Sequence, residues 1–197
     1  MPDLYVANTD NEWFDFLKAR SPLEDVNFWK LTPQTFRAIG EGHFFVFRLK
    51  SPRDLIGGYG VWASSINVPI QLAWDSLGER NGSLTMGHMI AAIRRYRRDQ
   101  RIDAQSLIGC RVLTSPVFFE PSDWFPVPLD WSHNIVTGKV YNSESQEGAK
   151  LLSALEARTP GNLLFDRGRR MAPGGRGWPM PKPGERAPPG RSATGTP

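Results

Sequence analysis

Residues 43–64 read HFFVFRLKSPRDLIGGYGVWAS and predict two β-strands joined by a short polar turn. The first half is rich in aromatic and β-branched residues, which suit the half-buried surface of a pleated sheet. Pro52 and Asp54 supply turn chemistry between the two halves. The second half contains three glycines, and glycines inside a strand indicate a bulge or a close approach of two backbones. Because two strands cannot bury both of their faces alone, this hairpin predicts the centre of a small mixed β-barrel.

The residues on both sides of the hairpin have apolar spacings that predict further strands and helices. Thr9 and Glu12 have the spacing of a capping box, which places the start of a helix just after the first apolar run. We predict helices over residues 10–19, 69–77, 85–98 and 146–158, and strands over residues 4–7, 106–120 and 135–141. The fold class predicted is therefore α+β, a small mixed β-barrel flanked by helices.

The charge is distributed unevenly along the chain. Residues 1–160 contain 17 Lys and Arg against 18 Asp and Glu, whereas residues 161–197 contain 7 against 2. Of the 37 residues in the second segment, 15 are Pro or Gly. Such a segment cannot bury enough apolar surface to offset the entropy lost on ordering. We predict one domain over residues 1–160 and a disordered, basic Pro/Gly/Arg-rich tail over residues 161–197. The tail is either a basic linker or a weak nucleic-acid contact, or else a plain spacer or an out-of-frame chain end.

Several functional classes find no support in the sequence. The amino terminus lacks the pattern of a signal peptide and no apolar run reaches the length of a membrane span, so we expect a cytoplasmic protein. Cys110 is the single cysteine, which excludes an internal disulfide and indicates a buried, inert thiol. The three histidines lack metal-ligand spacing, and no nucleophile or phosphate-loop motif occurs. We expect no metal, no cofactor and no catalytic residue in the folded part.

Tryptophan is the most informative residue type in the predicted domain. Five of the seven tryptophans lie between residues 29 and 131, several of them beside loop-type residues. Flat side chains near loops are used to stack a base that has left its duplex, although core packing is the ordinary role of aromatic residues. In the base-pocket hypothesis an aromatic ring stacks on the base, and Asp75 or Asn81 binds its edge. The candidates are Phe28, Trp29, Trp74, Asp75 and Asn81, with Trp131 and Asn134 as a second rim.

One basic cluster occurs in the predicted domain, at the end of the third helix. It consists of Arg94, Arg95, Arg97, Arg98 and, soon after, Arg101. Arginines grouped in this way are suited to binding backbone phosphates. Cations also stabilise the carboxyl terminus of a helix through the helix dipole. A structural role is therefore the alternative to phosphate binding for these arginines.

Several separated blocks carry a resemblance to a known family. They are YVANTDNEWFDFL, GEGHFFVFRLKSPRDLIGGYGVW, LAWDSLGERNG, IGCRVLTSPVFFEPSDWFPVP and WSHNIVTGKVYN. Together they resemble the N-terminal domain that precedes the nuclease domain in bacterial HNH restriction endonucleases. In layout the chain is also similar to the PUA-like superfamily, which includes the EVE and SRA modules.

This resemblance implies a PUA-like pseudo-barrel that reads double-stranded DNA through a flipped modified base, a modified cytosine. It also implies an HNH nuclease domain or subunit as partner. His133 and Asn134 have no partnering histidines, so we do not interpret them as a nuclease motif, and whether the chain is an enzyme stays open. Two alternatives remain: an RNA-binding or nucleotide-sensing PUA-like module, and a protein-interaction domain whose aromatic residues all lie in the core. The sequence does not indicate an oligomeric state.

Overall fold

Residues 2–159, which the computed structural model describes, form a mixed β-sheet with four α-helices. The strands are β1 (Asp3–Thr9), β2 (Asp25–Asn27), β3 (Phe44–Leu49), β4 (Leu55–Pro69), β5 (Leu107–Phe118), β6 (Phe125–Pro126) and β7 (Gly138–Asn142). The helices are α1 (Asn11–Lys18), α2 (Ile70–Leu77), α3 (Met86–Arg97) and α4 (Gln146–Glu156). The predicted tail over residues 161–197 lies outside the described residues.

The strands follow one another across the sheet in the order β2-β5-β4-β3-β1-β7, and the short β6 pairs with β4. β1 and β3 are parallel, while the other neighbours are antiparallel. No ladder joins β2 to β7 within residues 2–159, so the sheet stays open there. The predicted α+β class, with a mixed β-sheet flanked by helices, is confirmed.

The central hairpin forms as the sequence predicts, with β3 and β4 in antiparallel register. Its glycines allow close backbone approaches: a Cβ added at Gly58 would overlap the carbonyl oxygen of Val117 on β5. The register shifts between Tyr59 and Val61, which is the bulge that a glycine-rich strand predicts. β4 then continues well beyond the predicted strand and leads directly into α2.

Both faces of the sheet are buried, because alternate residues of each strand point to opposite sides. On one side, Leu4 and Val46 belong to a cluster that includes Leu151 of α4. On the other side, Tyr5 and Phe47 belong to a cluster closed by residues of α1 and by the segment that follows β2. A third cluster packs α2 and α3 against the ends of β4 and β5. The third cluster places α3 beside the second cluster, and Trp29 packs against both.

Capping residues define three helix starts, and one of them differs from the prediction. The Asp10 side chain, not that of Thr9, accepts the backbone N–H of Trp13 at 3.1 Å and caps α1. Thr9 is still part of β1, and its buried hydroxyl donates to the carbonyl oxygen of Ala7 at 3.0 Å. The predicted capping box is therefore wrong by one residue, because β1 runs further than its apolar run suggests. Thr85 and Ser145 cap α3 and α4.

Candidate functional site

A cleft of about 140 Å³ lies between the ends of β1 and β3, the segment after β2, and α3. Four stretches that are far apart in sequence contribute to it. Four of its nine lining residues are aromatic and two are lysines. The lining residues are Asn8, Asp10, Trp13, Phe28, Trp29, Lys30, Leu31, Lys50 and Tyr96. We refer to this feature as the aromatic cleft.

Hydrogen bonds to backbone oxygens hold the two indole rings of the aromatic cleft in place. Trp29 Nε1 donates to the carbonyl oxygen of Asn81 at 2.9 Å, and Trp13 Nε1 donates to that of Asn27 at 3.1 Å. Trp13 meets Phe28 edge to face, with ring centroids 5.3 Å apart. Trp13 and Phe28 are buried, whereas Trp29 is only partly buried. The wall of the cleft is thus preorganised, with Trp29 as its more accessible ring.

A buried pair of asparagines supports this wall from behind. Asn27 Nδ2 donates to Asn81 Oδ1 at 2.8 Å, and both residues are fully buried. Asn81 Nδ2 in turn donates to the carbonyl oxygens of Ala73 and Gly78 at 3.0 and 2.9 Å. These bonds fix the peptide whose carbonyl oxygen accepts from Trp29. The Asn81 side chain therefore faces the protein interior rather than the cleft.

The polar rim of the cleft centres on Asp10. Its carboxylate accepts a hydrogen bond from the hydroxyl of Tyr96 and lies 3.8 Å from Lys50 Nζ. Burial, and then the hydrogen bond to Asp10, raise the pKa of Tyr96 to about 12. Tyr96 therefore stays a neutral donor at physiological pH. Lys50 Nζ also lies 4.9 Å from the centre of the Tyr96 ring, within the range of a cation–π contact.

Lys30 is the unusual charge of the aromatic cleft. Burial and, to a smaller extent, the positive charges of Arg111 and Lys50 together lower its pKa to about 8. Its Nζ lies 5.4 Å from the centre of the Phe28 ring. Among residues 2–159 no carboxylate pairs with Lys30. Lys30 thus brings an unneutralised cation to an aromatic surface.

The predicted base-pocket residues fall into separate places. Phe28 and Trp29 both line the cleft. Asn81 lies outside the lining, and its carbonyl oxygen accepts the hydrogen bond from Trp29. Trp74 packs into the third cluster, away from the lining, and Asp75 is exposed on α2, where it accepts from Gln71 at 2.8 Å.

The predicted second rim also stands apart from the lining. Trp131 packs against the cluster on the α4 side, with the Arg48 guanidinium 5.2 Å above its ring. Asn134 is exposed in the loop before β7. Asn8 connects this loop to the cleft, because its Nδ2 donates to the carbonyl oxygen of Ile135 at 2.7 Å.

The predicted phosphate-binding arginines are partly engaged within the protein. Arg94 Nε donates to the carbonyl oxygen of Ile102 at 2.8 Å, which ties the end of α3 to the next segment. Arg95 pairs with Glu12 of α1 at 2.9 Å, and Arg101 pairs with Asp99. Arg97 and Arg98 are exposed at the end of the helix that carries Tyr96.

The sequence prediction missed Lys30, Lys50 and the Asp10–Tyr96 pair. Lys30 directly follows Phe28 and Trp29, so its position beside two candidate aromatic residues was an available signal. The other three residues come from distant stretches and meet only in the folded chain. No property of their local sequence distinguishes them from surface residues.

Comparisons with known proteins give a likeness in structure only. No family model and no curated protein matches the chain. Crystal structures of ASCH from Zymomonas mobilis are similar: one has a TM-score of 0.48 and 12% identity over 76% of this chain and 94% of that chain. A Tyr-to-Phe mutant protein gives 0.47 and 11% over 76% and 96%. A Ser-to-Ala mutant protein gives 0.49 and 9% over 79% and 99%. At these values no function passes to this chain from its neighbours.

Within residues 2–159, no helix has the length and apolar character needed to cross a bilayer. The same residues hold no group of three or more His, Cys, Asp and Glu side chains placed to bind a metal ion.

Proposed function

We propose that this domain is a nucleic-acid-binding module and that the aromatic cleft holds one unstacked base. The observation that carries the proposal is the partly exposed Trp29 ring in a cleft of about 140 Å³ that also contains two lysines. Stacking on aromatic rings and charge attraction to phosphates are the two interactions that proteins combine to hold a single nucleotide.

The preorganised wall supports this role. Because Trp29 and Trp13 are each fixed by a hydrogen bond to a backbone oxygen, little side-chain freedom is lost when a planar ligand binds. Stacking of one base on an aromatic side chain contributes about 1–3 kcal/mol. Arg97 and Arg98 are exposed at the end of α3, the helix that carries Tyr96, and are candidates for contacts to the phosphate backbone of the ligand.

The more specific form of the proposal concerns the ligand. We propose that the ligand is double-stranded DNA, that the base is a flipped modified cytosine, and that the module gives specificity to an HNH restriction endonuclease in the bacterial cytoplasm. The support for this form is the resemblance of the sequence blocks to the N-terminal domain of that family. A pocket with aromatic walls is also what base flipping requires. In this form the nuclease activity belongs to the partner domain or subunit.

Fluorescence anisotropy with the full 197-residue chain tests both forms. The ligands are labelled duplexes with cytosine, 5-methylcytosine or 5-hydroxymethylcytosine, a matched RNA duplex and a single strand, each at two salt concentrations. We expect binding that weakens as salt rises, since phosphate contacts release counterions. Trp29→Leu should weaken binding about 10-fold or more, as loss of one stacking contact implies.

Trp74→Leu is the matched control, because Trp74 is also partly buried but packs outside the cleft. If both variants bind as the unmodified chain does, the aromatic cleft is not the site. Equal binding of all duplexes refutes the modified-base form and leaves the general one. Tighter binding of the RNA duplex would show that the ligand is RNA. No binding of any ligand at low salt would overturn both forms of the proposal.

A further inference from the structure

Lys30 and Arg111 lie on the same face of a two-stranded ribbon beside the aromatic cleft. The segment after β2 continues to pair with β5: Phe28 N–H donates to the carbonyl oxygen of Arg111 at 2.9 Å. Two residues further on, Lys30 and Gly109 exchange both backbone hydrogen bonds, at 2.7 and 3.1 Å. Residues 28 and 30 therefore oppose residues 111 and 109. Lys30 and Arg111 are diagonal neighbours on one face, a separation that long side chains can bridge.

Arg111 is buried without a carboxylate partner. Only 8% of the residue is exposed, and its Nη1 is buried with no hydrogen-bond partner. The guanidinium lies 4.2 Å from the centre of the Phe36 ring. Burial lowers the pKa of Arg111, and the Tyr5 hydroxyl acts in the opposite direction. A buried cation with an unused donor is costly, so such groups normally have an anionic partner.

Lys30, the diagonal neighbour of Arg111, also lacks a carboxylate partner. No salt bridge within residues 2–159 includes Lys30 or Arg111. The acid of the cleft, Asp10, is already used by Tyr96 and lies beside Lys50. The fold therefore keeps two neighbouring cations partly out of water with no protein anion to balance them. A bound anion would supply both the missing negative charge and an acceptor for the unused Arg111 Nη1 donor.

We propose that Lys30 and Arg111 form an anion site that takes a phosphate group next to the aromatic cleft. This inference rests on the proposed function for the carrier of that phosphate, a nucleotide whose base stacks on Trp29. The cleft would thus recognise a nucleotide rather than a free base. The phosphate is either a diester within a strand or a terminal group, and the experiment separates the two sources.

Inorganic phosphate is the first probe, used with the full chain. Thermal unfolding in phosphate is compared with unfolding in chloride of equal ionic strength. We expect phosphate to raise the Tm of the unmodified chain, since a ligand that binds only the folded state stabilises it. Lys30→Met should abolish the increase and Lys30→Arg should keep it. Arg53→Met is the control, because Arg53 pairs with Asp15 on another surface.

The pH dependence provides a second readout that a purely structural role would not change. Because the pKa of Lys30 is about 8, phosphate binding should weaken above pH 8 in the unmodified chain. The arginine of Lys30→Arg stays charged, so binding by that variant should persist to pH 10. A phosphate effect that is absent, or equal in Lys30→Met and the unmodified chain, overturns the anion site.

Competition against a labelled oligonucleotide identifies the source of the phosphate. A dinucleoside monophosphate that competes at least 10-fold better than the nucleoside supports an internal diester, and competition by the 5′-mononucleotide alone supports a terminal phosphate. If oligonucleotide binding is lost in Trp29→Leu but unchanged in Lys30→Met, the anion site is wrong while the base-binding proposal stands. If phosphate stabilises the chain but no oligonucleotide binds, the anion site stands and the nucleic-acid proposal fails.

Discussion

Replacing Asn81 with alanine would remove three buried hydrogen bonds at once. The Asn81 side chain accepts from Asn27 and donates to the carbonyl oxygens of Ala73 and Gly78, at 2.8 to 3.0 Å. A buried hydrogen bond contributes about 1 kcal/mol net, so the expected loss in the free energy of unfolding is about 3 kcal/mol. For a domain of this size that loss lowers the Tm by roughly 6–12 °C.

Urea denaturation followed by tryptophan fluorescence measures this loss, because the Trp29 indole donates to the same residue. Asp75→Ala is the control: Asp75 is exposed, and its change should stay within about 0.5 kcal/mol of the unmodified chain. A stability loss below about 1 kcal/mol for Asn81→Ala would refute the supporting role. Unchanged stability with weakened oligonucleotide binding would restore the alternative that Asn81 binds the edge of a base.

Three further changes test other parts of the structure. Between pH 8 and about 10.5 the unfolded state binds more protons at Lys30 than the folded state does, so Lys30 contributes a rise in the free energy of unfolding with pH. Lys30→Met should lack this contribution and be more stable than the unmodified chain at pH 7, which denaturation of both chains across this pH window would measure. Gly58→Ala should prevent folding or lower the Tm strongly, because the added Cβ overlaps the Val117 carbonyl oxygen, and circular dichroism would detect it. Ser145→Ala should cost about 1 kcal/mol in urea denaturation, since the Ser145 hydroxyl accepts the Gly148 N–H that caps α4.

The sheet could be predicted from the sequence because its signals are local. Aromatic and β-branched residues in β3, followed by turn residues and three glycines in β4, define the hairpin without reference to the rest of the chain. The start of α1 was misplaced because Thr9 and Asp10 are both good capping residues. The pairing of Thr9 with Leu49 on β3, a contact across 40 residues, decides between them.

The site could be predicted only in part. Phe28 and Trp29 stand out by residue type and adjacency, and the structure places both in the cleft. Residue type does not separate an exposed asparagine from the buried Asn81, whose partners lie on other segments. Nor does it separate Trp29, which lines the cleft, from Trp74, which lies outside the lining. The burial of each side chain could not be predicted, because contacts between distant segments determine it.

Photo-cross-linking shows directly whether a base stacks on Trp29 in the aromatic cleft. A single-stranded or flipped 5-iodouracil, bound by the full chain and irradiated, forms an adduct with the aromatic residue on which it stacks. Peptide mass spectrometry then identifies that residue. We expect an adduct on Trp29, or on its cleft neighbours Phe28 or Tyr96. An adduct on Trp74 or Trp131, or none at a saturating concentration of the chain, would contradict it.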